Sequence, residues 1–303
     1  MAKALKALTS TGQRFGVFWD FLSLNQHPDP ANDLMRTEAQ NALFKQGLGC
    51  LGTLYSHQHT LVLRLTSFPE GYKKDLADDN NVSEYADRGW CATESAWSSL
   101  TKWSNKSLDL GRMKSNYRLF AYHNLIKECA RGGGRRPPLL PPQFTEELEE
   151  KSFTNGKEDK PLVKELYEAS FKEQFAEVTV LYYDWLLWGD AEAAQLAVIF
   201  ANGFAPRLKM LHLDGNQIGD EGCKALAVAL GKEGAAPRLE ELDLSHNRIG
   251  DEGLTALANA LGKGAAPRLE KLSLDFNNIG REGLEALAVL LKEGTVPLLK
   301  AAN

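Results

Sequence analysis

Four prolines, Pro206, Pro237, Pro267 and Pro297, recur at intervals of 31, 30 and 30 residues. After each of the first three the same text follows: RLKMLHLDGNQIGDEG, RLEELDLSHNRIGDEG and RLEKLSLDFNNIGREG. An alanine- and leucine-rich run closes each unit, CKALAVALG, LTALANALG and LEALAVLLK. A period of this length means one supersecondary unit stacked several times, because a single unit cannot bury its apolar face alone.

The unit can be read residue by residue. In the second copy, the spacing of Leu239, Leu242 and Leu244 predicts a short strand whose alternate side chains face inward. The amide of Asn247 can hydrogen-bond the backbone of the turn, and with Asn216 and Asn277 it predicts a ladder. Ile249 returns to the core and Gly250 lets the chain turn. Asp251 and Glu252 open a helix, where negative charge is favourable. Leu254, Leu257, Ala258 and Leu261 give that helix a buried face, and Gly262 and Gly264 end it.

A disguised unit precedes these. Shifted back by 30 residues, the pattern falls on Val178, Leu181 and Tyr183, then on Trp188-Gly189-Asp190, with Leu186 in the place of the asparagine. An atypical first unit is expected of a stacked array, whose end needs a cap. At the other end, VPLLKAAN stands where a fifth strand would begin.

From about Glu177 to Asn303 these units resemble the ribonuclease-inhibitor-like leucine-rich repeats, with one strand and one full helix each. The resemblance implies an α/β solenoid, with repeats near 178–207, 208–238, 239–268 and 269–298. It also implies a protein partner held on the concave strand face. The outward strand positions are Val180, Tyr182, Asp184, Met210, His212, Asp214, Glu241, Asp243, Ser245, Lys271, Ser273 and Asp275, a mixed and acid-leaning set. For any one of them plain solvated surface is the alternative; as a set they form the default docking surface of such an array.

A different text occupies residues 1–125. RFGVFWDFLSL and HTLVLRLTS are short, dense apolar runs that predict buried strands. Leu34 to Ser56 and YADRGWCATESAWSSLTK carry helical spacing. Strands alternating with helices predict a parallel sheet with crossover helices. Functional residues then gather at the carboxyl ends of the strands, where Asp20 stands.

Asp20-Phe-Leu-Ser-Leu-Asn25-Gln26 resembles the D-x-x-C-I-N-Q motif of heterokaryon-incompatibility (HET) domains, relatives of Toll/interleukin-receptor (TIR) domains. Arg88-Gly-Trp90-Cys-Ala-Thr-Glu94 is similar to their R-x-W-T-x-x-E block and to the W-C-x-x-E helix of plant TIR domains. The resemblance implies a three-layer α/β domain with a short parallel sheet. It also implies an alternative activity, NAD glycohydrolysis, with Glu94 as catalytic residue and Asp20, Arg88 and Trp90 shaping its pocket. NAD enters only through that alternative; otherwise no cofactor is expected. Three departures stand out: Ser23 replaces the family's cysteine, Ser95 follows Glu94 in place of an apolar residue, and only AKALKALTSTG precedes the Asp20 strand. The plain alternatives are a surface Glu94 or a Glu94–Arg88 pair, Trp90 and Trp97 as core, and Asp20 as a turn opener.

Between the two parts, residues 126–160 contain RGGGRRPPLLPPQ and a charged stretch, which predict a semi-stiff linker. PLVKELYEASFKEQFAEV predicts a helix capping the array, so the repeat domain spans 161–303. Lys102, Lys106, Arg112, Lys114 and Arg118 read as a solvated basic face. His57 and His59 lack further ligands, and no metal site is expected.

The 303 residues suit two domains, and the net charge of -5 gives no support to nucleic-acid binding. The four cysteines are far apart, which fits a reducing, cytoplasmic setting. No segment predicts a membrane span. The expected function is intracellular interaction or scaffolding: a repeat array that binds a protein and a HET/TIR-like signalling domain, with self-association through the latter.

Overall fold

The computed structural model describes residues 2–9, 37–67, 84–114, 121–131, 134–153, 156–293, 298–299 and 301–302. The repeats build a five-stranded parallel sheet in sequence order: β3 Val180–Tyr182, β4 Met210–His212, β5 Glu241–Asp243, β6 Lys271–Ser273 and β7 Ala301–Ala302. Four helices alternate with them: α7 Asp190–Ala201, α8 Asp220–Leu230, α9 Asp251–Gly262 and α10 Arg281–Glu293. Val180 pairs with Met210, Met210 with Glu241, and Glu241 with Lys271. This register is the 30-residue shift expected from the text, and β3 joins the sheet in it.

Each strand turns its central leucine inward, so Leu181, Leu211, Leu242 and Leu272 are buried. The matching helix faces meet them, with Leu196, Leu226, Leu257 and Leu287 buried as well. Burying one such side chain stabilises by about 1.5–3 kcal/mol, and each unit repeats the gain only because a neighbour covers it.

Two polar ladders hold the stack in register. The first is the expected asparagine ladder. Asn216 Oδ1 accepts from the Leu186 and Trp188 amides at 3.0 and 3.1 Å, while its Nδ2 donates to the Tyr183 and Leu213 carbonyls. Asn247 and Asn277 tie the next units in the same way, through the amides of Ile218 and Ile249. The second ladder uses the aspartate that opens each helix. Asp220 Oδ1 accepts from the Gly250 and Gly253 amides of the following unit at 2.7 and 2.9 Å. Asp190 and Asp251 do the same for Gly219 and Gly222, and for Gly280 and Gly283. The aspartate therefore caps the next helix, not only its own. Gly253 permits the approach, since a Cβ there would lie 2.6 Å from Asp220 Oδ1 and 3.0 Å from its Cα. In the fourth unit Arg281 takes the aspartate's place.

Helix α6, Gly156–Glu177, shares one core with Leu181 and Tyr183 of the first strand region, with Val163, Tyr167, Phe171 and Phe175 fully buried. The core then continues beyond the array. Helix α2, Glu38–Ser56, and helix α3, Gly89–Trp97, add Leu51, Ala96, Trp97 and Leu100 to the same cluster. Thr37 caps α2 through a box with Gln40; Leu34 to Arg36, where the helical spacing begins, lie outside the described residues. Gly52 lets α2 close on α6, because a Cβ there would meet Ser170 Oγ at 2.0 Å.

A second, smaller core joins helix α1, Ala2–Thr9, to the neighbourhood of strand β2, Ser107–Asp109, and helix α4, Tyr122–Cys129. Strand β1, Val62–Arg64, pairs parallel with β2, and α3 lies between them in sequence. A parallel sheet was expected here from the Asp20 and HTLVLRLTS strands; β2 was not expected, because a three-residue SLD segment has no periodicity to read. The Asp20 strand lies outside the described residues.

Residues 126–160 behave differently from a linker. They supply helix α5, Pro141–Glu149, whose Phe144 and Leu148 are fully buried. The prolines begin this helix because its first turn needs no amide donors. Leu139 and Leu140 pack on the main core, the Tyr167 hydroxyl donates to the Leu139 carbonyl at 2.8 Å, and Trp188 Nε1 donates to the Arg135 carbonyl at 2.8 Å. The basic stretch also departs from expectation, since Lys102 is fully buried. Its Nζ donates to the His57 and Thr60 carbonyls and to Thr60 Oγ1 at 2.6–2.8 Å. Burial, and then Arg135 and Lys106, lower its pKa to about 6.

Candidate functional site

The register sets the outward side chains in rows. One row runs Val180, Met210, Glu241, Lys271, the next Tyr182, His212, Asp243, Ser273. Two residues further along each unit stand Asp184, Asp214, Ser245 and Asp275. The twelve positions named from the sequence thus fall in three rows. Ser273 is the exception in exposure: it is 7% exposed and belongs to the buried set.

Neighbouring rows touch. Tyr182 stacks on His212 with ring centroids 4.6 Å apart, and His212 Nδ1 lies 3.9 Å from Asp243 Oδ2. Ser245 fixes the other Asp243 oxygen through its amide and hydroxyl, at 3.0 and 2.6 Å. Lys271 reaches Glu241 at 2.7 Å, and that bond raises the lysine's pKa. Among the described residues no such cation pairs with Asp214. Burial, then Asp184 and Asp243, raise its carboxyl pKa. His212, Asp214 and Asp243 can each present one ligand atom, all within 4.8 Å of one another, so this trio is where a cation would find donors among the described residues.

The N-terminal part closes one side of this face. Trp103 meets Tyr182 edge-on at 5.1 Å, and the Ser104 hydroxyl donates to Asp184 Oδ1 at 2.6 Å. Arg131 reaches Asp184 at 3.5 Å and lies over the Trp185 ring at 5.7 Å. Together these residues bound a cleft of about 370 Å³ floored by Tyr182, Asp184, His212 and Asp214. Trp103, Arg131 and Trp185 were not named as site residues from the sequence. The first two come from segments without repeat periodicity, and Trp185 sits one place past the outward strand positions. Aligning the four units on that column would have found it.

The Glu94 neighbourhood is built otherwise. Glu94 is half-buried on α3, and the Tyr85 hydroxyl lies 3.4 Å from its Oε2. Trp90, one turn earlier, donates its indole N–H to Asp159 of α6 at 3.0 Å. Arg88 forms a parallel backbone bridge with Ser152. Trp90 and Arg88 are thus engaged with the 152–159 region, and Asp20 lies outside the described residues.

Against this geometry, a family model described as a leucine-rich repeat matches residues 207–227, 237–258 and 267–288. Residues 207–288 form a leucine-rich-repeat array. The model leaves out the first unit at 178–207, whose tryptophan and tyrosines depart most from the pattern although its strand keeps the register. A comparison with curated proteins gives no match. Among the described residues no helix is long and apolar enough to cross a membrane.

Proposed function

We propose that the repeats stack as a short solenoid of the ribonuclease-inhibitor-like kind, and that its concave strand face captures a protein partner. The observation that carries this reading is the convergence of outward side chains from successive units on one cleft, with Trp103 and Arg131 bounding it from outside the array. A surface of half-exposed aromatic and acidic groups offers both apolar contact and directional charge. The full helix in each unit supports the subclass.

In the same reading the N-terminal part is a HET/TIR-like module in an intracellular scaffold, through which copies self-associate. The parallel β1–β2 pair with α3 between its strands supports that assignment. The alternative, an NAD glycohydrolase acting through Glu94, is the weaker of the two, because the Trp90 indole is held by a hydrogen bond to Asp159 of α6.

The test is charge reversal on the face. Glu241→Lys with Asp243→Lys reduces partner capture by the purified chain about tenfold or more, compared at a temperature where circular dichroism shows both chains folded. Equal capture by the double variant would refute the face assignment.

A further inference from the structure

One column of the repeats is conformationally unusual. The residue after the outward aspartate row has positive φ in all four units: Trp185 at 55°, Gly215 at 67°, His246 at 53° and Phe276 at 56°. Large side chains rarely adopt this conformation, and such outliers cluster where function requires them. Here three of the four are aromatic. Trp185 lies over Gly215, where a Cβ would be 2.3 Å from the indole, and comes within 5.8 Å of His246. His246 stacks on Phe276 at 4.2 Å with an interplanar angle of 9°. The result is an aromatic strip across four units, with Trp185 40% and Phe276 75% exposed.

Acidic groups run beside it. Asp184, Asp214 and Asp275 form the adjacent row, with Asp243 and Glu241 next, against Lys271 and Arg131 as cations. Burial first, and then the Asp184 and Asp243 carboxylates of this row and the next, raise the Asp214 pKa. The chain itself shows what the pairing of rows accepts: the Arg131 guanidinium lies over Trp185 while reaching Asp184. A planar cation satisfies both rows at once, stacking on the ring and hydrogen-bonding the carboxylate.

We propose that this strip takes an extended basic segment of the protein partner, whose arginine side chains lie across the aromatic column with the neighbouring aspartates as counter-ions. Arg131 fills the first such position from within the chain, and the units carrying His246 and Phe276 receive the partner's guanidinium groups. With strands about 4.8 Å apart the strip is about 15 Å long, the span of about five extended residues. This deepens the strand-face reading and rests on it.

The test uses fluorescein-labelled heptapeptides that alternate arginine, lysine or glutamate with glycine, followed by anisotropy against the full chain. The arginine peptide binds saturably, the lysine peptide several-fold more weakly, and the glutamate peptide not at all. Phe276→Ala and Asp275→Asn, both at exposed positions, each weaken arginine-peptide binding about fivefold. Glu233→Gln, in the loop after α8, changes it by less than about twofold. Unchanged urea midpoints verify that all three variants are folded. Absence of saturable arginine-peptide binding, full binding by Phe276→Ala, or an equal loss from Glu233→Gln would each overturn the proposal. If the peptide fails while partner capture still depends on Glu241 and Asp243, the basic-segment inference falls and the strand-face reading stands.

Discussion

The asparagine ladder gives a prediction that chemistry alone does not. Asn216→Ala and Asn247→Ala delete the same atoms from equivalent places, at 6% and 7% exposure, so side-chain transfer and cavity costs nearly cancel between them. Their hydrogen bonds do not. Asn216 is the sole partner, among the described residues, of the Leu186 amide, the Trp188 amide and the Tyr183 carbonyl. For Asn247 that is true only of the Ile218 amide. Its three carbonyl partners keep a second donor: Leu213 from Asn216, Leu244 from Asn277 and Ser245 from the Gly215 amide. A buried backbone group left unpaired costs about 1–3 kcal/mol. At the low end Asn216→Ala costs about 3 kcal/mol and Asn247→Ala about 1 kcal/mol. The gap of about 2 kcal/mol is a factor of about thirty in the folding equilibrium. Urea unfolding followed by circular dichroism measures both. Equal losses, or a larger loss at Asn247, would refute the claim that the ladder's energy lies in orphaned backbone groups.

Lys102 makes stability depend on pH. Its folded pKa lies near 6 against an ordinary 10.5, so between those values the unfolded chain holds the extra proton and stability rises with pH. From pH 6.5 to 8.5 the wild type gains up to about 2 kcal/mol relative to Lys102→Met, measured by urea titration at each pH; a flat difference contradicts the shift. At Glu94, nicotinamide release from NAD by the purified chain stays at background and is the same for Glu94→Ala. A rate that falls with the substitution would restore the catalytic alternative.

The array was legible because each repeat states its geometry several times over. Leu239, Leu242 and Leu244 fix a strand, Asn247 a turn and Leu254 to Leu261 a helix face, and the 30-residue shift carries the pattern back to Leu181, where Gly189 and Asp190 are kept and the asparagine is not. What the text could not show was where cross-unit polar bonds go. Asp251 looks like an ordinary helix opener, yet its carboxylate caps the following unit through Gly280 and Gly283. The 126–160 segment was harder still. Prolines and glycines signal an interrupted backbone, which describes a linker and a strap packed on a core equally well; only Leu139, Leu140 and Phe144 separate the two, and their burial depends on residues far away in sequence. The cleft is half legible for the same reason. Tyr182, Asp184, His212 and Asp214 follow from the repeat, whereas Trp103 and Arg131 arrive by tertiary packing.

The central claim is that the strand face, and not the helix face, meets the partner. A photo-crosslinking amino acid placed at Phe276 on the strip, and separately at Val228 on α8, tests it directly, because both positions are well exposed at 75% and 69%. In cells expressing each variant, the account predicts a discrete protein adduct from position 276 and none of that size from position 228. The same adduct from both positions, or from position 228 alone, would contradict it.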